Sequence, residues 1–318
     1  MNVGLLLPLA GQALSMPRAC AAAAVFACAA GIASAAGAQE CRPIHRDDTG
    51  SASGVSVVFA GKHCLQQDFR VGREFDLHSA AVKEPSTRAL IAITPRTGGK
   101  YSPHGPFELD MQGHHAQADV AGMDGVRGIG PGRNVTVRNG TLTVAGQGST
   151  GVRLLLRSRA QTAGMRSPIE PEYEDVSMPE AADTGQANFL LSRLNIRAGG
   201  RGIIMSGAGN SIRDSMIEVD GATAIFLHGR GSVIENNTII VHARAAGPND
   251  AVIKLRDADG AVIRNNRIIY KGDSRAATAI NLLDSNNVRV ENNIVEGIDE
   301  VVRQTGKTSV REQGTQRR

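Results

Sequence analysis

The chain has 318 residues, a formal net charge of +4 at pH 7, 41% hydrophobic residues and 21% charged residues. This balance excludes an intrinsically disordered chain and an integral membrane protein, and so small a charge gives no support for nucleic-acid binding. With 37 Gly, no Trp and 3% aromatic residues, the interior has to be filled by Ile, Val, Leu and Ala, which suits many short strands.

Residues 1–38 predict a secretory signal peptide. Arg18 precedes an uncharged, Ala-rich run over 19–35, and residues 36–38 have the small side chains that signal peptidase reads. The alternatives are a membrane anchor, for which the run is short, and a lipoprotein site at Cys28. We expect an exported protein, periplasmic or secreted, that has no membrane span after cleavage.

Residues 39–106 are predicted to form an N-terminal cap and the first strands. Cleavage of the signal peptide would leave Cys41 and Cys64 as the only cysteines of the mature chain. In an exported protein we expect these two to form a disulfide bond. Two cysteines without metal-type spacing predict no zinc site.

A repeat is the strongest signal in the sequence. Similar eight-residue segments alternate apolar anchors with charged residues and Asn or Asp, at 137–144, 191–198, 212–219, 234–241, 263–270 and 290–297. Three copies carry an Asn pair, and Asn tolerates the left-handed backbone of tight bends and hydrogen-bonds to equivalent residues in neighbouring copies. Another apolar run precedes each later copy, which predicts stacked coils of three short strands with a continuous interior.

The repeat resembles the right-handed parallel β-helix family, the architecture of pectate lyases and many secreted polysaccharide-active proteins. The IxNNxI-type copies carry the resemblance over about 134–297. FELDMQGHH (107–115) and FAGKHCLQQDF (59–69) resemble the opening coils and the N-terminal cap of bacterial members of unassigned function. The resemblance implies an all-β fold, a single-stranded right-handed parallel β-helix (a solenoid) over 107–303. Leucine-rich and β-propeller arrays are disfavoured because their Leu spacing and aromatic signatures are absent.

Two segments depart from the repeat. Residues 158–187 contain three Pro and an acidic centre. They form either a disordered surface insertion or a lid over an outward apolar patch. That patch is predicted to consist of Ile203, Met205, Ile225 and Leu227. Residues 304–318 are polar and basic and are predicted to be a flexible tail.

The resemblance places the substrate cleft along the first strand of each coil and the variable turn before it. Aligning the repeats puts Lys254 and Arg256 on the outer face of one strand, with a ladder of Ile204, Phe226, Leu255 and Leu282 pointing inward. Some related lyases use a Lys or Arg base beside a uronate carboxylate, with a cation stabilising the enolate. The variable turns add substrate-binding candidates: His242, Arg244, Asp250, Lys271, Asp273 and Arg275. Solvated surface charges are the alternative interpretation.

A further ladder of Ser206, His228, Asp257 and Asp284 is predicted at the start of the following turn. Neighbouring coils lie about 4.8 Å apart, which brings His228 and Asp257 within hydrogen-bonding reach. Such a pair suits acid–base catalysis. Capping of backbone groups by turn residues, or a cation shared by the two Asp residues, are the alternatives.

These features predict an exported protein that binds or acts on a polysaccharide, with an acidic glycan as the expected class. As an enzyme it would be a polysaccharide lyase that works by β-elimination, with Lys254, Arg256, His228 and Asp257 as catalytic residues. A non-catalytic structural, adhesive or envelope β-helix is the alternative, and an accessory role in periplasmic metal handling is a third. We expect a monomer with no cofactor, calcium being the one alternative, and no nucleic-acid partner.

Overall fold

The computed structural model describes residues 41–44, 55–57, 60–71, 89–93, 106–129, 133–156, 185–243, 250–272 and 278–318. These residues belong to one compact unit, Gln39–Arg318. The predicted signal peptide and most of the predicted insertion lie outside the described residues. Within the described ranges, no helix is long and apolar enough to cross a membrane.

The described residues form 26 short strands. In chain order, these are β1 (Arg42–Ile44), β2 (Val55–Val57), β3 (Gly61–Leu65), β4 (Phe69–Val71), β5 (Ala89–Ile93), β6 (Phe107–Asp110), β7 (His115–Ala118), β8 (Asp124–Ile129), β9 (Val135–Val144), β10 (Thr150–Leu155), β11 (Leu190–Ala198), β12 (Arg201–Ser206) and β13 (Ser211–Arg213). The later strands are β14 (Met216–Val219), β15 (Ile225–His228), β16 (Val233–Glu235), β17 (Thr238–Val241), β18 (Ala251–Arg256), β19 (Val262–Arg264), β20 (Arg267–Tyr270), β21 (Thr278–Leu283), β22 (Val288–Glu291), β23 (Ile294–Glu296), β24 (Glu300–Thr305), β25 (Val310–Gln313) and β26 (Gln316–Arg317).

The strands make two parallel sheets that share one core. Sheet B contains nine strands in the order β2-β5-β8-β10-β12-β15-β18-β21-β24, and the other 17 strands form sheet A. From β12 onward, each coil supplies one strand to sheet B and the next two to sheet A, and each strand pairs with the equivalent strand one coil later. The predicted parallel β-helix with three strands per coil is therefore confirmed.

The second apolar anchor of the repeat forms the central ladder of the core. Each anchor pairs with its counterpart in the next coil, and all six are fully buried: Leu142, Ile196, Ile217, Ile239, Ile268 and Val295. Burial of one such side chain stabilises the fold by about 1.5–3 kcal/mol. The sequence predicted this ladder and its register correctly.

The two members of each Asn pair have different roles. The first residue adopts a left-handed backbone, with φ of 58° at Asn236 and 55° at Asn265. The second residue is buried and bridges coils: Asn237 Nδ2 donates to Asn266 Oδ1 at 3.0 Å, and Asn266 Nδ2 donates to Asn293 Oδ1 at 3.0 Å. The predicted bend and the predicted side-chain ladder are both present, on adjacent residues.

The register of sheet B differs from the predicted one at a single step, between β15 and β18. Lys254 pairs with Asn281 as predicted, but on its other side it pairs with Phe226, whereas the alignment of the repeats placed it beside Ile225. The stretch of chain from the sheet B strand to the following sheet A strand is one residue shorter in the coils of β12 and β15 than in the coils of β18 and β21. Counting back from the Asn pairs therefore shifts the two earlier coils by one position.

This shift reverses the direction of several apolar side chains. Ile204 and Phe226, predicted to point inward, form a separate buried cluster with Leu155 outside the main core. The residues predicted to make an outward apolar patch lie in the main core instead: Ile203, Met205, Ile225 and Leu227. A lid over those four residues is therefore excluded, since they line the interior.

Residues 304–318, predicted to be a flexible tail, form the last coil instead. β24 pairs with β21, and β25 and β26 pair with β22 and β23. Gly306 and Gly314, each with φ of 66°, stand at the turn positions that Asp284 and Asn292 occupy one coil earlier. The turn pattern of the repeat thus continues into this polar segment.

The predicted disulfide bond between Cys41 and Cys64 is present, with a Cα–Cα distance of 5.6 Å. It joins the residue before β1 to β3, and these two strands pair in parallel. The strands predicted within 39–106 are β1 to β5, and they belong to the same two sheets as the repeats. The linking segments 45–54, 72–88 and 94–105 lie outside the described residues.

Candidate functional site

The predicted site residues of the first strands lie on the outward side of sheet B. Lys254 and Arg256 alternate along β18 with Ile253 and Leu255, which are buried in the core. Because side chains of a strand alternate between its two faces, both cations point away from the core. We call the outward side of β15, β18, β21 and β24 the sheet B face.

His228 and Asp257 meet on the sheet B face, as predicted. His228 Nε2 lies 2.8 Å from Asp257 Oδ2, across neighbouring coils. Asp257 has φ of 47° at the turn position where the preceding coil has Gly229, and a short polar side chain tolerates this backbone. The partner of His228 in the strand register is Arg256 rather than Asp257.

His228 is 2% exposed, whereas the Asp257 side chain is 45% exposed. Burial lowers the pKa of His228 below the ordinary histidine value of 6.5, and the hydrogen bond and charge of Asp257 oppose this without cancelling it. A carboxylate can only accept, so the neutral imidazole donates its Nε2–H to Asp257 Oδ2. The lone pair of the ring therefore lies on Nδ1.

The depressed pKa of His228 predicts a loss of stability in acid. Below pH 6.5 the unfolded chain binds a proton that the folded protein does not, so the free energy of unfolding falls as pH decreases. Denaturant titrations between about pH 7.5 and pH 5 measure this slope. We expect a shallower slope in His228→Gln, which keeps a hydrogen-bond donor and does not titrate. Equal slopes in the two proteins would contradict the prediction.

Three polar atoms on the sheet B face are buried and have no hydrogen-bond partner among the described residues: His228 Nδ1, Arg256 Nε and Asn281 Oδ1. Leaving such a group unsatisfied costs about 1–3 kcal/mol. Buried groups of this kind are rare, and bound water or a ligand commonly satisfies them. The three residues lie on β15, β18 and β21, which are consecutive strands of sheet B. The same strands carry the partly exposed side chains of Lys254, Arg256 and Asn281, which mark the candidate binding site.

Sequence reasoning assigned no role to Asn281. The residue pairs with Lys254 on one side and with Arg303 on the other. Its one sequence signal is that it is the only polar residue in the apolar run 280–283. The alignment of the repeats already placed Asn281 beside Lys254, and the structure adds Arg303 on its other side.

The cations of the sheet B face have acidic neighbours. Lys254 Nζ lies 3.9 Å from Asp250 Oδ1, and Arg256 Nε lies 3.5 Å from Asp257 Oδ2. In the last coil, Arg303 Nε donates to Glu300 Oε2 at 2.8 Å. The sequence predicted a basic cleft around Lys254 and Arg256, but the described part of the face is charge-balanced.

The remaining predicted residues divide into three groups. His242 Nε2 lies 2.7 Å from Glu218 Oε1 of sheet A, and Lys271 is exposed one coil later, with its backbone N–H donating to Val241 O. Asp284 Oδ1 accepts from the backbone N–H of Lys307 at 2.9 Å, which is the capping role weighed for turn residues. The third group lies outside the described residues: Arg244, Asp273 and Arg275. Across the described ranges, no three His, Cys, Asp or Glu residues are arranged to hold a metal ion.

A family model supports the fold, and two solved structures are similar at low identity. The family model for a right handed beta helix region matches residues 183–311, and these repeats are a right-handed parallel β-helix. The enzymatically active domain of bacteriophage CBA120 tailspike protein 2 is similar with a TM-score of 0.41 and 12% identity, over 82% of this chain and 38% of that one. The A-module of Azotobacter vinelandii mannuronan C-5 epimerase AlgE4 is similar with a TM-score of 0.37 and 14% identity, over 81% of this chain and 83% of that one. The chain thus spans 38% of the tailspike domain's length. No curated protein matches in sequence.

Proposed function

We propose that this is an exported protein that binds a polysaccharide on the sheet B face. The observation that carries the proposal is the ladder of partly exposed polar side chains formed by Lys254, Asn281 and Arg303 on three consecutive strands. The amide of Asn281 both donates and accepts hydrogen bonds, and the two cationic groups donate them. A sugar hydroxyl both donates and accepts, so a chain of hydroxyl groups suits these side chains. The repetition of coils supplies an extended surface of the kind that a linear polymer requires.

Binding without chemistry is the function that the geometry supports best. Elimination from a uronate needs a base and a cation that neutralises the carboxylate. Lys254 and Arg256 each have an acidic neighbour within 4 Å, which weakens their attraction for a second carboxylate. His228 is 2% exposed and would have to become accessible before it removed a proton.

One observation favours β-elimination as a second candidate. A neutral His228 has a free lone pair on Nδ1, Asp257 holds the ring through Nε2, and Arg256 is its partner in the next coil. In that reaction His228 would take the proton beside the carboxylate and Arg256 would stabilise the enolate. The leaving oxygen would take a proton from water.

A glycan array and an activity assay test the two candidates. We expect the wild-type protein to bind at least one class of polysaccharide, and Asn281→Ala to bind it about tenfold more weakly through the loss of one hydrogen bond. Arg289→Ala, on the outer side of sheet A, is the matched control and should bind like the wild type. Failure of the wild type to bind any glycan would overturn the proposal.

The activity assay follows the absorbance of unsaturated products from uronate polymers, with and without calcium. Product formation that disappears in His228→Ala would establish elimination. Binding without product in any condition would leave the non-catalytic function. Calcium enters as a variable because the sequence left it open as a cofactor.

A further inference from the structure

We propose that the last coil of the β-helix contains an end cap, formed by Gln304, Glu312 and Arg317, which prevents a second copy of the chain from pairing with the open strand edges. This role in association between copies is independent of polysaccharide binding on the sheet B face. Two features of the coil support it: the residue types at its inward positions, and a contact that Arg317 makes across the end of the core.

The strands of the last coil have open edges. β24 pairs with β21, and β25 and β26 pair with β22 and β23 of the preceding coil. In the described part of the chain no strand pairs with their other side, which therefore presents backbone N–H and C=O groups along the axis of the stack. Such an edge is a template for a strand of another chain, and a second copy carries the same edge.

Three of the inward ladders change from apolar to polar at this coil. In the preceding coil these ladders hold apolar residues that are fully buried: Leu282, Val290 and Val295. The residues that follow them in the same registers are polar and exposed: Gln304, Glu312 and Arg317. The residue types at these inward positions, rather than the place where the chain stops, mark this coil as a boundary of the stack.

A second copy seated on this end would take the three polar side chains out of water, as the last coil does to the apolar residues before them. Removing the carboxylate of Glu312 and the guanidinium of Arg317 from water is costly unless each finds a well-placed partner. Inward-pointing charges on an edge strand are one of the means by which sheet proteins avoid pairing with another chain. The end cap therefore makes association at this edge unfavourable.

Arg317 also reaches across the end of the core. The residue lies on β26 of sheet A, and its Nη1 donates to the backbone O of Asp299 at 2.7 Å, in the turn between β23 and β24. Both ends of this contact adjoin buried apolar residues, since Val295 is the register partner of Arg317 and Ile298 precedes Asp299. An arginine in this position covers apolar surface with its methylene groups and keeps its charge in water.

Sedimentation velocity of the purified protein tests the end cap. We expect the wild type to be monomeric over about a hundredfold range of concentration. The triple variant Gln304→Leu/Glu312→Val/Arg317→Val gives each position the residue type that it has one coil earlier. This variant should associate, with a Kd at least about a hundredfold lower than that of any association of the wild type.

A matched control and a reversal show whether the association uses this end. Arg289→Val/Glu291→Val/Gln313→Leu makes the same three replacements at outward positions of β22 and β25, removes the same charges, and should remain monomeric. Val302 is an inward residue of β24 that packs against the core. Adding Val302→Lys to the triple variant restores an inward charge and should restore the monomer.

Association of the wild type, or a triple variant that stays monomeric, would overturn the end cap. Equal association of the matched control, or association that persists with Val302→Lys, would overturn it as well, because added apolar surface elsewhere would then be the cause. If the triple variant fails to fold by circular dichroism, Glu312→Val is compared with Glu291→Val, and equal sedimentation of these two would contradict the role of Glu312. Glycan binding of the folded variants should be unchanged, so failure of either proposal leaves the other standing.

Discussion

Asn266→Ala is expected to lower the free energy of unfolding by about 3 kcal/mol. Asn266 Oδ1 accepts from both the backbone N–H and the Nδ2 of Asn237, each at 3.0 Å. Its Nδ2 donates to Ile234 O at 2.9 Å and to Asn293 Oδ1 at 3.0 Å. The substitution leaves the backbone N–H of Asn237 without a partner inside the stack, where water cannot replace the lost acceptor.

Urea or guanidinium unfolding measures this effect, with the slope of the transition as a check that the same surface unfolds. Asn286→Ala is the matched control, because Asn286 lies in an exposed turn and should change stability by less than about 0.5 kcal/mol. If the two variants were equally stable, the buried Asn ladder would not be the main polar support of these coils.

The Asn pairs also show how far the sequence predicts the fold. Their recurrence, with an apolar residue on either side, was sufficient to predict the coils and the inward ladder of sheet A. It was not sufficient to assign separate roles to Asn265 and Asn266, since either residue tolerates a bend and either can hydrogen-bond. Only the backbone φ and the burial distinguish them.

The register of sheet B was less predictable for a physical reason. The runs 202–205 and 224–227 are apolar throughout, so they contain no alternation that separates inward from outward side chains. The alignment therefore relied on the Asn pairs and missed the shorter turn in two coils. Where a polar residue interrupts the run, as Lys254 does, the outward direction was predicted correctly.

The candidate site was predictable in its members but not in its electrostatics. The spacing of coils brought His228 to Asp257, and the outward position of Arg256 followed from strand alternation. Which carboxylate faces which cation depends on rotamers and on distances across coils, which a single sequence does not encode. The charge balance of the sheet B face therefore emerged only from the structure.

The second large effect is expected at the disulfide bond. Replacing both Cys41 and Cys64 by Ser should lower the free energy of unfolding by about 3 kcal/mol, because the bond closes a loop whose ends are 23 residues apart. When the disulfide bond is intact, that closure reduces the conformational freedom of the unfolded chain and so favours the folded state. It also holds β1, a strand of three residues, against β3.

Equilibrium unfolding with and without a thiol reductant distinguishes the stabilising effect of the disulfide bond from the effect of replacing the two cysteine side chains. The wild type should lose stability on reduction, whereas Cys41→Ser/Cys64→Ser should be insensitive to the reductant. Cys64 is fully buried, so the variant also places a hydroxyl group in the core, and the reduced wild type measures that contribution. If reduction left the wild type unchanged, β1 would unfold independently of the stack. The bond would then stabilise only the first strand rather than the whole β-helix.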